Sequence, residues 1–343
     1  MGRATSNPDN PYLSEQLAWL PGQSPSVDTT VREDDTRSIL SHNDSPDIHF
    51  DYTLNPYRGC HHGCAYCYAR PTHEYFGLGA GTDFVRHLVV KPRAAELLRA
   101  AFAKPSWKGD LVVFSGATDC YQPLEAQYGL TRACLEVCLE HRNPVGIITK
   151  SPLITRDLEL LRRLHQVTHL QIAISIPVWD AERAHAVEPQ VATPARRMAA
   201  LETLASAGLD VSLNVAPFVP GLSEHRLREL LERARDAGAR RANFTFLRLP
   251  GPVAEVFEAA IRERIPLTAE KILSRVRAAR GGRLNDPRFG HRMSAEGPWA
   301  EAARRAFDGI AKDVGFPFPD RARPREPSPF RRPNRSGQLA LFE

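Results

Sequence analysis

Cys60, Cys64 and Cys67 stand at C-x3-C-x2-C spacing in the run Cys60-His-His-Gly-Cys64-Ala-Tyr-Cys67. A structural zinc ion closes its tetrahedron with four ligands. A cubane iron–sulfur cluster is also held by cysteine thiolates, normally four, one per iron. Three thiolates leave one iron with an open position that a small molecule can take. The zinc alternative needs a fourth ligand, and His61, His62 and His73 are close enough in sequence to supply one.

The elements that must position this loop follow from hydrophobic periodicity. Before it, Ile48–Leu54 is a β-like run and Asn55-Pro-Tyr-Arg-Gly59 a turn; after it, Ala65 to Arg70 reads as the start of a helix. Strand runs then follow at Phe84–Val90, Leu111–Ser115, Val145–Thr149, His169–Ile176, Leu209–Ala216 and Arg241–Leu247. Amphipathic stretches alternate with them at Pro92–Ala103, Leu130–Glu140, Arg156–Leu164, Pro194–Ala207, Glu224–Ala237, Val253–Arg264 and Thr268–Ala279. Such alternation means βα units on a parallel sheet, about six of them, and an α/β fold. In parallel barrels chemistry sits at the C-terminal ends of the strands. Polar residues at those ends are therefore the site candidates: Ser115, Thr118 and Asp119 after one strand, Lys150 after the next, and Ser175 on the one following. Small residues there let backbone amides approach a ligand, and a lysine can pair with a carboxylate. Cys134 and Cys138, four apart on a helical stretch, read as buried core cysteines.

The chain has 343 residues, 42% of them hydrophobic and 25% charged, as expected of a soluble globular protein. No apolar run reaches membrane-spanning length, and the first residues lack the apolar stretch of a signal peptide. A cytoplasmic location is expected, where six cysteines are ligands, catalytic thiols or core fillers rather than disulfides. The net charge is +5, and much of the excess is local. Between Arg321 and Arg335 lie six arginines, one acid (Glu326) and four prolines, which prevent regular packing and suggest an extended basic arm able to meet phosphates. The expected organisation is a disordered N-terminal arm over 1–35, a core over 36–285, an extension over 286–320 and a basic flexible tail over 321–343.

The cysteine spacing, with an aromatic residue, Tyr66, before the last cysteine, resembles the radical S-adenosylmethionine (radical SAM) superfamily. The resemblance implies an incomplete (β/α)6 barrel, a 4Fe–4S cluster on Cys60, Cys64 and Cys67, and SAM on the open iron. It also implies reductive cleavage of SAM to a 5′-deoxyadenosyl radical and an electron donor such as flavodoxin or ferredoxin. Tyr66 would lie near the adenine. Ser115, Thr118 and Asp119 would face the SAM amino group, Lys150 its carboxylate, and Ser175 the carboxylate or ribose.

Four segments narrow the resemblance: Asn55-Pro-Tyr-Arg-Gly-Cys60, Thr118-Asp-Cys-Tyr-Gln-Pro123, Thr149-Lys-Ser151, and Glu188-Pro189 with Arg196-Arg197. Over roughly residues 36 to 265 the chain looks like the spore photoproduct lyase-like branch, whose lyases reverse a thymine dimer in DNA. The resemblance implies DNA as substrate and Tyr66 and Tyr68 as relay tyrosines. The hydrogen-donating cysteine of that branch precedes the Thr/Ser-Asp pair, where this chain has Gly116 and Ala117. Cys120, directly after Asp119, is the candidate replacement.

The chain ends Gly337-Gln-Leu-Ala-Leu-Phe-Glu343. Gln338, Leu339, Leu341 and Phe342 resemble the bacterial sliding-clamp binding peptide, in which Leu and Phe fill an apolar pocket and Gln bonds at its edge. For the chain as a whole, the alternative readings are a radical SAM modifier of RNA or a peptide, and a non-catalytic iron–sulfur sensor or adaptor tethered to the clamp.

Overall fold

Apolar runs bounded by turn residues pair here in the order in which they occur in the chain. The computed structural model describes residues 3–4, 6–14, 26–317 and 327–333. Its main sheet contains six parallel strands in sequence order: β1 (Tyr52–Leu54), β2 (Val112–Phe114), β3 (Val145–Thr149), β4 (Leu170–Ser175), β5 (Val211–Phe218) and β6 (Arg241–Phe246). Leu40–His42 adds an antiparallel strand beside β1. Among the described residues β6 does not pair back to that edge. This is the open (β/α)6 arrangement that the sequence predicts.

Helices cross over between successive strands: α1 (Ala94–Ala103), α2 (Leu130–His141), α3 (Leu158–Val167), α4 (Pro194–Ser206) and α5 (Leu227–Asp236). After β6 come α6 (Val253–Arg264), α7 (Pro266–Ala278) and α8 (Pro298–Asp313). The alternation in β4 shows how the sheet is used. Leu170, Ile172 and Ile174 are buried in the main core, while Gln171 and Ala173 between them are not. Cys134 and Cys138 are fully buried in the same core. No described helix is long and apolar enough to cross a membrane.

Three local expectations change. Phe84–Val90 is not a strand of the main sheet. Asp83–Arg86 is helical, and His87–Val90 is the middle strand of a separate three-stranded sheet with Thr30–Glu33 and Tyr57–Arg58. Ala65–Arg70 does not begin an α-helix; turns lead into a 3-10 helix at Arg70–Phe76. The N-terminal arm is partly built into the fold. Thr30–Glu33 covers the free edge of His87–Val90 through backbone bonds, with all four side chains exposed, which is why no apolar pattern announced it. Asn10 is buried and donates to the carbonyls of Glu74 and Leu78.

Residues 327–333 of the basic arm lie against the barrel, joined to it by hydrogen bonds and ring contacts. Gln338, Leu339, Leu341 and Phe342 lie outside the described residues.

Candidate active site

The cysteine loop leaves the C-terminal end of β1 and is tied down on every side by groups that no periodicity marks. Gly59 has φ +69°, and a Cβ there would fall 2.9 Å from the Phe84 carbonyl oxygen and from Leu88. Only glycine suits that left-handed, crowded position. The buried Arg70 guanidinium then gathers the loop's carbonyls. Nε and Nη2 donate to Cys64 O at 3.0 and 2.9 Å, Nη2 to Gly63 O at 3.0 Å, and Nη1 to Ala80 O and Gly81 O at 2.8 and 2.9 Å. Gln122, fully buried, donates to Gly59 O at 3.1 Å and accepts from the His61 amide at 3.0 Å. Asn55 Oδ1 accepts from the amides of Ala117 and Thr118 at 2.7 and 3.3 Å, binding the end of β1 to the loop after β2.

Within this frame Cys60 and Cys64 are buried and Cys67 is partly open. Burial pushes the Cys64 and Cys67 thiols up; the Lys150 ammonium opposes that at both, and the Arg70 guanidinium also does so at Cys67. Near Cys60, His62 Nδ1 sits 3.4 Å from Asp119 Oδ2. Burial presses the His62 imidazole down, but Cys60 and Asp119 outweigh it and hold it up to about 10. Lys150 and Arg70 thus bring positive charge to the cysteine loop, with the Glu188 carboxylate opposing it at Cys64.

Three thiolates on one short loop fit a multinuclear cluster with one thiolate per iron. Elsewhere, the ligand atoms of Asp286, His291 and Glu296 lie within 4.8 Å of one another, and Arg288 bridges the two carboxylates at 2.6 and 3.9 Å. Of the histidines that a zinc site would use, His73 bonds through Nε2 to the His87 carbonyl, and His62 faces Asp119.

The strand-end residues fall into two groups. Lys150 and Ser175 stand at the ends of β3 and β4, and the Lys150 ammonium lies 5.8 Å from the centre of the Tyr66 ring. Tyr66 itself is buried, and its hydroxyl donates to Glu188. Glu188 pairs with Arg197 at 2.6 Å, and Arg197 donates to the Ser175 carbonyl at 2.8 Å. Tyr68 is about half exposed and donates to the Gly116 carbonyl at 2.7 Å, with Arg248 over its ring.

The second group is committed internally. Asp119 Oδ1 accepts from Thr149 Oγ1 at 2.6 Å and the Tyr121 amide at 2.9 Å, and Oδ2 from the Lys150 amide at 2.7 Å. Burial pushes this carboxyl up, but those donors and His62 hold it down to about 2. Ser115, at φ +81°, accepts from the Cys120 amide, and Thr118 donates to the Tyr57 carbonyl. These side chains shape the loop after β2. Cys120 is fully buried in the main core, and its carbonyl accepts from Thr131. The thiol that the sequence offers as a hydrogen donor therefore lies among core side chains here.

Sequence reasoning gave Arg70 no role, and used Asn55, Gln122, Glu188 and Arg197 only as motif letters. A polar residue inside an otherwise apolar or glycine-bearing segment was the available signal.

The family model of the radical SAM superfamily matches residues 54–234. An uncharacterized protein of Mycobacterium tuberculosis is 40% identical over 192 residues, 55% of this chain and 56% of the relative. An uncharacterized protein of Methanocaldococcus jannaschii is 28% identical over 171 residues, 50% and 61% of the two chains. The chain thus spans little more than half the length of these relatives. The solved structure of spore photoproduct lyase complexed with dinucleoside spore photoproduct aligns over 83% of this chain and 79% of that one, with TM-score 0.60 and 16% identity, a likeness of fold. The match over the cysteine loop and four of the six core strands, together with the site built at their ends, places this chain in the radical SAM superfamily, whose members use a 4Fe–4S cluster and S-adenosylmethionine.

Proposed function

We propose that this radical SAM enzyme acts on DNA, in a repair-like reaction related to that of spore photoproduct lyase, with the core formed by residues 36–285. The observation that carries the chemistry is the convergence of Cys60, Cys64 and Cys67 with Lys150 at one end of an open parallel sheet. DNA as substrate is supported by the shared fold with a lyase whose structure holds a dinucleoside photoproduct.

Bound at the three cysteines, the cluster with SAM supplies a strong hydrogen-abstracting radical. The chain's own part is positional. Cys60, Cys64 and Cys67 hold the group in a loop that Arg70 and Gln122 keep from shifting. The Lys150 ammonium is placed for the SAM carboxylate as a charge-assisted partner. Tyr66, fixed by Glu188, forms a wall beside that ammonium. Tyr68, half exposed above the loop, is the tyrosine open to substrate. An electron donor such as flavodoxin or ferredoxin supplies the reducing equivalent. We assign Gln338, Leu339, Leu341 and Phe342 to the sliding clamp, which would hold the enzyme at DNA.

The test is anaerobic incubation of the reconstituted, reduced protein with SAM and ultraviolet-irradiated DNA, followed by nucleoside mass spectrometry. Loss of a photoproduct or appearance of an altered nucleoside is expected. SAM cleavage without any nucleoside change would move the substrate to RNA or a peptide.

A further inference from the structure

The arm that follows α8 returns to the barrel at the end away from the cysteines. Ser328 donates to the Gly109 carbonyl at 2.6 Å. Phe330 sets its ring against Phe102 at 5.8 Å and against His141 at 6.1 Å. The Arg331 amide donates to the His141 carbonyl at 2.8 Å. Arg332 donates to the carbonyls of Lys104 and Trp107 at 2.8 and 2.7 Å. His169 pairs with the Pro327 carbonyl at 3.3 Å. Gly109, His141 and His169 precede β2, β3 and β4 respectively, so every one of these contacts lies at the N-terminal ends of the strands. The cysteine loop, Lys150 and Ser175 lie at the C-terminal ends of the same sheet.

The barrel is shaped to receive this segment. Gly109 has φ +81°, and a Cβ there would lie 2.2 Å from Phe330 Cβ and 2.6 Å from Ser328 Oγ. The missing side chain makes room for the arm. Arg332 adds a donor to two carbonyls after α1, that of Trp107 and that of Lys104, which also accepts from the Trp107 amide.

We infer that Ser328–Arg332 is an anchor that fixes the C-terminal arm to the barrel face opposite the cysteines, so that a partner gripping the terminal Leu and Phe residues is held behind the catalytic mouth and leaves it open to substrate. Leu339 follows Pro333 by six residues, a reach of at most about 20 Å even when fully extended. The partner has the chemistry of the tail: an apolar pocket for Leu341 and Phe342 with a hydrogen-bonding edge for Gln338. Its identity as the sliding clamp rests on the function proposed above; the anchor does not.

The experiment uses the full-length protein. In limited trypsin digestion followed by mass spectrometry, cleavage after Arg331 should be about ten-fold or more slower than after Arg335, because the first bond is held by the barrel. Phe330→Ala, and separately Arg332→Ala, should bring the two rates together while the iron content stays unchanged. Equal rates in the wild type overturn the anchor. A photo-crosslinking residue at Lys108, beside the anchor, should trap added sliding clamp, and one at Tyr75, beside the cysteine loop, should not. Phe330→Ala should erase that preference. Equal trapping from both positions in the wild type also overturns it. Protection of Arg331 with no trapping from either position supports the anchor and removes the clamp as the partner.

Discussion

Glu188 and Arg197 form a fully buried ion pair, 2.6 Å apart, directly behind the Tyr66 ring that borders Lys150. Neither residue touches solvent: each side chain is 1% exposed. A buried pair is costly to break, because removing one partner strands the other charge in a low dielectric.

Arg197→Met should therefore destabilise the protein by about 3–5 kcal/mol in chemical denaturation at neutral pH. The pH dependence carries the sign. Burial alone pushes the Glu188 carboxyl up, but Arg197, Lys150 and the Tyr66 hydroxyl hold it below the usual carboxylate range. In the wild type this contribution is present above the unfolded carboxylate value and is lost as pH falls through the depressed folded value. In the variant burial dominates, so Glu188 should take up a proton and the deficit should shrink on acidification. A deficit that does not change between neutral and mildly acidic pH would show that the pair is not the cause.

Replacing any of Cys60, Cys64 or Cys67 with Ala should abolish both iron retention and SAM cleavage, with the wild type carrying about four irons per chain. Iron analysis after anaerobic reconstitution checks it. One zinc and no iron in the wild type would overturn the cluster reading.

Lys150→Met should keep the iron but weaken SAM binding by about 10- to 100-fold, the loss of a hydrogen bond to a charged group worth roughly 1.5–3 kcal/mol. Lys150→Arg should recover part of it. Equilibrium dialysis on the reconstituted protein measures this, and unchanged affinity in Lys150→Met would place the SAM carboxylate elsewhere.

Cys120→Ala should cost roughly 1 kcal/mol of stability, as expected for one buried methyl-sized group. Iron content, SAM cleavage and product pattern should be unaltered, because the thiol is enclosed in the core. Normal stability with loss of clean product would restore Cys120 as a donor.

A peptide covering Arg331 to Glu343 should bind the sliding clamp at roughly micromolar affinity, about 8 kcal/mol. Replacing Leu341 and Phe342 with Ala should remove most of it, since these are the apolar anchors. Calorimetric titration decides, and equal binding by both peptides would end the tail assignment.

The sequence by itself determined the cysteine spacing, the six core strands in their order, and the burial of Cys134 and Cys138. Hydrophobic period is a local property, and a chain alternating two periods has few ways to bury both patterns. Tertiary structure alone decided the polar connections. Gln122 reaches Gly59 across 63 residues, and Tyr66 reaches Glu188 across 122. Asp119 is a strand-end carboxylate in the sequence, and the fold sets its oxygens against Thr149 and the amides of Tyr121 and Lys150. Cys120 read as a loop thiol, yet it is sealed in the core. A buried polar group must find a partner, but its sequence carries no period that says which one. That choice depends on which strand ends the fold brings together, and only the assembled sheet fixes it.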